Sequence, residues 1–153
     1  MTATTPAAFD PIPRRLGTTA NMIVGAAVLE GAVVALAASG TDWTVGPASS
    51  NGTYNGAPLG VALYTQAIVG GKVAVAMYGS VLKVCEGAGA DILPGVQVKP
   101  ALTGANGCVV PLVTSNASGA DGWLIGTMIT KAAANSTGYC LIVGPNDIWK
   151  GAA

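Results

Sequence analysis

The chain predicts an all-β fold, a single small barrel or sandwich-like domain behind an extended N-terminal arm, and three observations support this. Turn dipeptides recur along it: Asn51-Gly52, Asn55-Gly56, Gly70-Gly71, Pro94-Gly95, Asn106-Gly107 and Ser118-Gly119. Asn-Gly supplies the positive φ angles that two-residue hairpin turns demand. Between these signals lie short β-branched runs: "PLGVALYT", "KVAVAMY", "SVLKVCE", "GVQVK", "CVVPLVT", "WLIGTMIT" and "GYCLIVG". Short strands at regular spacing, parted by turns, indicate a barrel or sandwich. Helix is scarce, and the best candidate, "TKAAAN" at 130–135, amounts to a turn.

The third observation is the apolar run "RRLGTTANMIVGAAVLEGAVVALAASG", which imitates an export signal or a membrane span. A span wants about 20 apolar residues, and a charged residue at its centre costs roughly 2.5–3.5 kcal/mol. Glu30-Gly31 interrupts this run, and its glycines and β-branched residues weaken a helix further. A signal peptide begins near its charged residues, whereas here a proline-bearing stretch precedes Arg14. The run divides instead into "MIVGAAVL" and "GAVVALAA", two strand-length pieces with "LEGA" as a tight turn between them. Neither membrane nor export is expected.

Residues 1–18 form the arm and residues 19–153 the domain. The arm holds three of the nine prolines. Proline fixes φ and pushes its predecessor to an extended conformation, so no core is expected there. Phe9 and Ile12, its bulky apolar residues before Leu16, are candidate anchors on a partner. Arg14 and Arg15 stand where the arm meets the first strand and are candidates for pairing with a partner's carboxylates. In "KVAVAMY", Val73, Val75 and Met77 face one way and Ala74, Ala76 and Tyr78 the other. Two apolar faces call for a second covering sheet or a subunit interface.

Composition narrows the function. Hydrophobic residues make up 51% and charged residues 9%, against about 25% charged in ordinary soluble domains. A surface so poor in charge suits life against other protein. Net charge is zero, with no basic cluster beyond Arg14-Arg15, so phosphate neutralisation and nucleic-acid binding are not expected. There is no histidine, which removes the commonest general base and metal ligand. Gly71-Lys72 is followed by valine, so no phosphate loop exists; "GAGADI" at 87–92 lacks the third glycine of a dinucleotide fingerprint. No G-x-S-x-G elbow occurs, and the acidic residues are scattered, so no enzyme and no cofactor are expected. Cys85, Cys108 and Cys140 lie far apart without a C-x-x-C pair, and their spacing signals neither a zinc site nor a disulfide framework. The odd count fits a reducing compartment, and Cys140, in an apolar run, reads as a small core residue. Trp43, Trp123 and Trp149 each lie by a turn or terminus. Tryptophan is enriched at binding hot spots. Trp123 reads as closing a barrel end, whereas Trp43 and Trp149 are the partner-facing candidates.

The chain also carries a faint internal repeat. Sliding by 66 lays "LGVALYTQAIVGGKVAVAMYG" over "IGTMITKAAANSTGYCLIVGP" without a gap, placing Gly60 on Gly126 and Val73-Val75-Met77 on Tyr139-Leu141-Val143. Two such units are expected to form two parts of one barrel.

Taken in order, "EGAVVALAASG", "PLGVALYTQAIVGGKVAVAMYGSVLKV", "GADILPGVQVKP", "GWLIGTMI" and "GYCLIVGP" resemble the capsid cement or head decoration proteins of tailed phages. The matching positions are 31–34, 59–63, 71–79, 95–98 and 125–129, within about residues 22–144. The arm and the insert "TDWTVGPASSNGTYNGA" exceed the family pattern. The resemblance implies a structural virion protein, made in the host cytoplasm, on the outer surface of an icosahedral head. Its partners would be the major capsid protein and neighbouring cement subunits, as a homo-oligomer with a trimer favoured. Two other functions fit a chain of this kind: a self-assembling tail or fibre subunit, and a small-ligand-binding barrel.

Overall fold

The computed structural model describes residues 15–37, 43–48, 53–54, 57–101, 107–112, 122–143 and 148–149. These residues form strands and turns without helix: β1 (Thr19–Val24), β2 (Val33–Leu36), β3 (Thr44–Pro47), β4 (Pro58–Ala62), β5 (Lys72–Ala76), β6 (Val81–Cys85), β7 (Gln97–Pro100), β8 (Val109–Pro111), β9 (Gly122–Trp123), β10 (Gly126–Met128), β11 (Thr137–Ile142) and β12 (Ile148–Trp149). Accordingly, no helix among them is long and apolar enough to cross a membrane. Far-ultraviolet circular dichroism of the purified chain should show a β-type spectrum, and a strongly helical one would contradict this fold.

Five strands close a barrel in the order β1-β3-β2-β4-β5, with β1 parallel to β3 and antiparallel to β5. A second five-stranded sheet follows in the order β6-β11-β10-β7-β8. It repeats the first, strand for strand, and its outer strands meet at the parallel bridge between Glu86 and Val109. The turn bridge Val28–Gln66 of the first unit recurs as Ile92–Ala132 in the second. Hydrogen bonds recur too. Gly25 N–H donates to the Val45 carbonyl at 2.8 Å, and Gly87 N–H to that of Val109 at 2.9 Å. Ala48 N–H donates to Val33, and Leu112 N–H to Gln97, both at 2.8 Å.

The internal repeat is therefore real, but each copy builds its own five-stranded sheet rather than part of a shared barrel. Its register also needs one correction. Gly60 does correspond to Gly126, yet the following strands match one residue earlier, because Gly138, Cys140 and Ile142 point inward and Tyr139 does not. A single-residue gap in the connecting turn is the cause: Gly71 N–H bonds to Ile68 in one unit and Ser136 N–H to Ala133 in the other. Strand side chains alternate with period two, so a slip of one exchanges the faces.

Three further expectations change. Of the two halves of the long apolar run, only Met22–Val24 and Val33–Leu36 fall in strands among the described residues, β1 and β2, and the chain between them closes in a turn in which Ala32 N–H bonds to Leu29 at 3.0 Å. They are not hairpin partners, however, since β3 lies between them. That strand comes from "TDWTVGPASSNGTYNGA", so this segment supplies a barrel wall and is no insert on a finished core. Cys85 and Cys108, whose spacing signals no disulfide, form one with Cα atoms 4.7 Å apart. Linear spacing did not signal it because the pairing depends on β6 and β8 meeting around the sheet.

The cores explain the two apolar faces of β5. Met22, Val24, Val28, Val34, Val45, Ala62, Val73 and Val75 fill the first barrel. Val33, Ala35, Val61 and Ala76 point out of it and are covered by the second unit, joining one cluster with Leu82, Val84, Val98, Ile125 and Ile142. The second sheet buries Ala76 on that face, whereas Ala74 is half-buried and Tyr78 stands exposed. Cys140 is a core residue, and burial pushes its thiol up to about 12. Glu86 occupies the place that Val24 holds in the first barrel. Its buried carboxylate accepts the backbone N–H groups of Ala88 and, at 2.7 Å, Asn135. Backbone donors directed at a buried carboxylate offset the cost of removing it from water.

Candidate interaction surface

The duplication supplies an internal standard for what the fold itself requires. At one end of the first barrel, Ile23 N–H donates to the Trp43 carbonyl at 2.8 Å, and Val24 exchanges hydrogen bonds with Gly70 and Gly71 of the β4–β5 turn. Trp43, Ile68 and Val69 stand at this end with 63%, 72% and 66% of their surfaces exposed, and Ile23 and Leu36 with 41% each. The corresponding positions of the second unit are Gly107, Ala133, Ala134, Cys85 and Pro100. The same backbone is thus built with small residues or proline at these places. Bulky apolar side chains in water are not needed for the fold here, which makes this end of the barrel the candidate interaction surface.

Trp43 also has a backbone cost. Its φ is 59°, the left-handed region that side chains disfavour, and Gly107 at the equivalent place has φ 83°. A non-glycine residue held there costs about 1–3 kcal/mol, and such strain concentrates at functional positions. The tryptophan is kept where glycine would sit more easily.

The other expected partner residues fare differently. Phe9, Ile12 and Arg14 lie outside the described residues. Arg15 is exposed, and its backbone pairs with Val81, with hydrogen bonds of 2.9 and 2.7 Å, so the chain is already anchored to β6 at that point. Trp149 lies in β12, whose backbone pairs antiparallel with β9, Trp149 opposite Gly122 and Ile148 opposite Trp123. That pairing ties this end of the chain to the body. Ile68 and Val69 went unrecognised in the sequence because "QAIVGG" reads as an ordinary strand flank. Aligning the two units with the correct gap would have set them against Ala133 and Ala134.

A groove of about 440 Å³ runs between the two units, lined by Glu30, Leu63, Leu82, Lys83, Thr137 and Tyr139. The Lys83 ammonium sits 5.7 Å from the Tyr139 ring centroid, a cation–π distance. Among the described residues, no group of three or more His, Cys, Asp or Glu could hold a metal ion.

No protein-family model matches the chain, and no curated protein does. Among solved structures, the fold matches the N base of the head fiber gp8.5 of bacteriophage phi29, with a TM-score of 0.56 and 20% sequence identity over 82% of this chain and 92% of that one. The two share an all-β architecture over nearly the whole of the fiber base.

Proposed function

We propose that this protein is a non-catalytic structural component of a phage virion that docks on the outer surface of the head and stabilises the shell. The observation that carries the reading is the exposed apolar end of the first barrel, Trp43 with Ile68 and Val69, on a fold shared with a phage head fiber base. A ligand that binds the assembled shell and not its separated pieces raises shell stability by mass action, and a repeated lattice multiplies the effect. The partner is the major capsid protein, with neighbouring copies of this chain completing a trimer at threefold positions.

The likeness to a head fiber base favours a second reading, in which the domain is the head-attached foot of a projecting fiber. Electron microscopy of heads mixed with the purified chain separates the two. Compact density at capsomer junctions supports the cement reading, projecting filaments support the fiber reading, and bare heads overturn both.

The N-terminal segment tests the same proposal from another side. Residues 1–14 precede the Arg15–Val81 pairing, so their deletion should leave the fold intact. Attachment to heads should weaken by roughly 2–4 kcal/mol, the scale of losing buried anchors and desolvated charge pairs. Co-sedimentation of the truncated protein with heads measures this, and unchanged affinity would leave the segment without a docking role.

A further inference from the structure

The seam between β6 and β8 is built differently from its counterpart in the first barrel. There, the parallel β1–β3 seam is a ladder in which Ile23 pairs with Thr44 and Val24 with Val45. Ile23 N–H donates to the Trp43 carbonyl and Gly25 N–H to the Val45 carbonyl, both at 2.8 Å. Among the described residues of the second unit a single bridge remains, between Glu86 and Val109. The pair corresponding to Ile23 and Thr44 is Cys85 and Cys108, joined as a disulfide. The carbonyl corresponding to that of Trp43 belongs to Gly107, and it accepts the Val33 N–H of the first barrel at 2.8 Å instead. A Cβ at Gly107 would meet the Val33 carbonyl oxygen at 2.6 Å, so the two chains touch there. A covalent bond thus stands in for part of a ladder, and the freed carbonyl ties the two units together.

We propose that Cys85 and Cys108 form a redox lock on the second unit. As dithiols they leave the β6–β8 seam with one bridge, and the seam opens. Oxidation closes it and seats Gly107 on Val33. Both cysteines are partly exposed, within reach of a small-molecule disulfide such as oxidised glutathione. One thiolate attacks that disulfide and expels the first glutathione thiolate. The second cysteine thiolate then attacks the mixed disulfide and expels the other. Two electrons pass from the cysteine pair to glutathione disulfide, which becomes two glutathione thiols as it takes up the two protons that the cysteines release. Cys140 stays out of the exchange, since it is fully buried and its thiol remains protonated. The lock does not depend on which partner the first barrel meets.

The test equilibrates the full chain in glutathione buffers of graded poise. It reads free thiols by alkylation and mass, amide exchange across residues 107–111, and the melting temperature. Oxidising buffer should protect Cys85 and Cys108 from alkylation. Full reduction should speed exchange at 107–111, and at Val33, whose N–H donates to the Gly107 carbonyl, by at least about tenfold while leaving the rest of β1–β5 unchanged. It should also lower the melting temperature by roughly 10 °C, since the cross-link closes a 23-residue separation. The double variant Cys85→Ser with Cys108→Ser should match the reduced protein in every buffer. If that variant fails to fold, the wild-type titration decides alone. Cysteines that remain alkylatable at oxidising poise would overturn the lock, as would reduction that leaves exchange and melting unchanged.

Discussion

Replacing Gly126 with valine should abolish the cooperative melting transition and send the protein to the insoluble fraction. Gly126 opens β10 opposite Ile142, and a Cβ placed on it would run into the Leu141 carbonyl of the neighbouring strand and crowd the Cys140 sulfur. Gly60 meets the Ala76 carbonyl in the same way in the first barrel. Strands in a small barrel coil tightly enough that one strand passes directly over the backbone of the next, and only glycine leaves room there. The obstacle is main chain held in a ladder, so no side chain can rotate away from it. A loss above about 4 kcal/mol follows, against the 5–15 kcal/mol that a whole domain commands. Gly126→Ala should suffer most of the same loss, because the first carbon added is the one that collides. Thr127→Val, one residue along and partly exposed, should stay within roughly 0.5 kcal/mol of wild type. Thermal melts followed by circular dichroism distinguish these outcomes. A Gly126→Val protein that melts cooperatively within a few degrees of wild type would show that the close approach is absent.

In the sequence this close approach shows only as the repeated "LGVA"/"IGTM" pattern, in which Gly60 corresponds to Gly126. Periodicity and turn dipeptides find the strands well: "KVAVAMY" and "SVLKVCE" contain β5 and β6, and "GYCLIVG" covers all of β11 but its first residue. These signals are local, since each strand carries its own alternation. Strand order is not local. Nothing in "LEGA" reveals that β1 and β2 are held apart by a strand from further along the chain. That strand, "TVGP", contains glycine and proline, both depleted in strands, and so passed for an insert. The disulfide stayed hidden for a related reason, because it joins strands that meet only when the second sheet curls round. The one-residue gap between the units was invisible to an ungapped slide, and it moved the whole of β11 to the wrong face. Trp43, a partner-facing candidate in the sequence, stands exposed in the structure. Ile68 and Val69, its companions, required the comparison of two folded units.

Trp43→Gly should separate binding from stability. Glycine occupies the equivalent place in the second unit, as Gly107, and accepts the positive φ at no steric cost. Removing the tryptophan should therefore relieve backbone strain, so the variant should melt at or slightly above the wild-type temperature; the gain is about 1 kcal/mol at most, because glycine also loses more freedom on folding. Head binding should move the other way. Truncating a central tryptophan at an interface commonly costs 2 kcal/mol or more, which is a loss of about thirtyfold or greater. Adding Ile68→Ala and Val69→Ala, which copy Ala133 and Ala134 of the second unit, should deepen the loss to several hundredfold without unfolding the barrel. Co-sedimentation with heads and a melting curve on the same preparations measure both quantities. A triple variant that binds heads as tightly as wild type would move the docking surface away from this end of the barrel. One that melts far lower would mean that these side chains support the fold after all, and that the second unit is a poor guide to the first. The pairing of a neutral or higher melting temperature with lost attachment is what neither a core residue nor an idle surface residue produces.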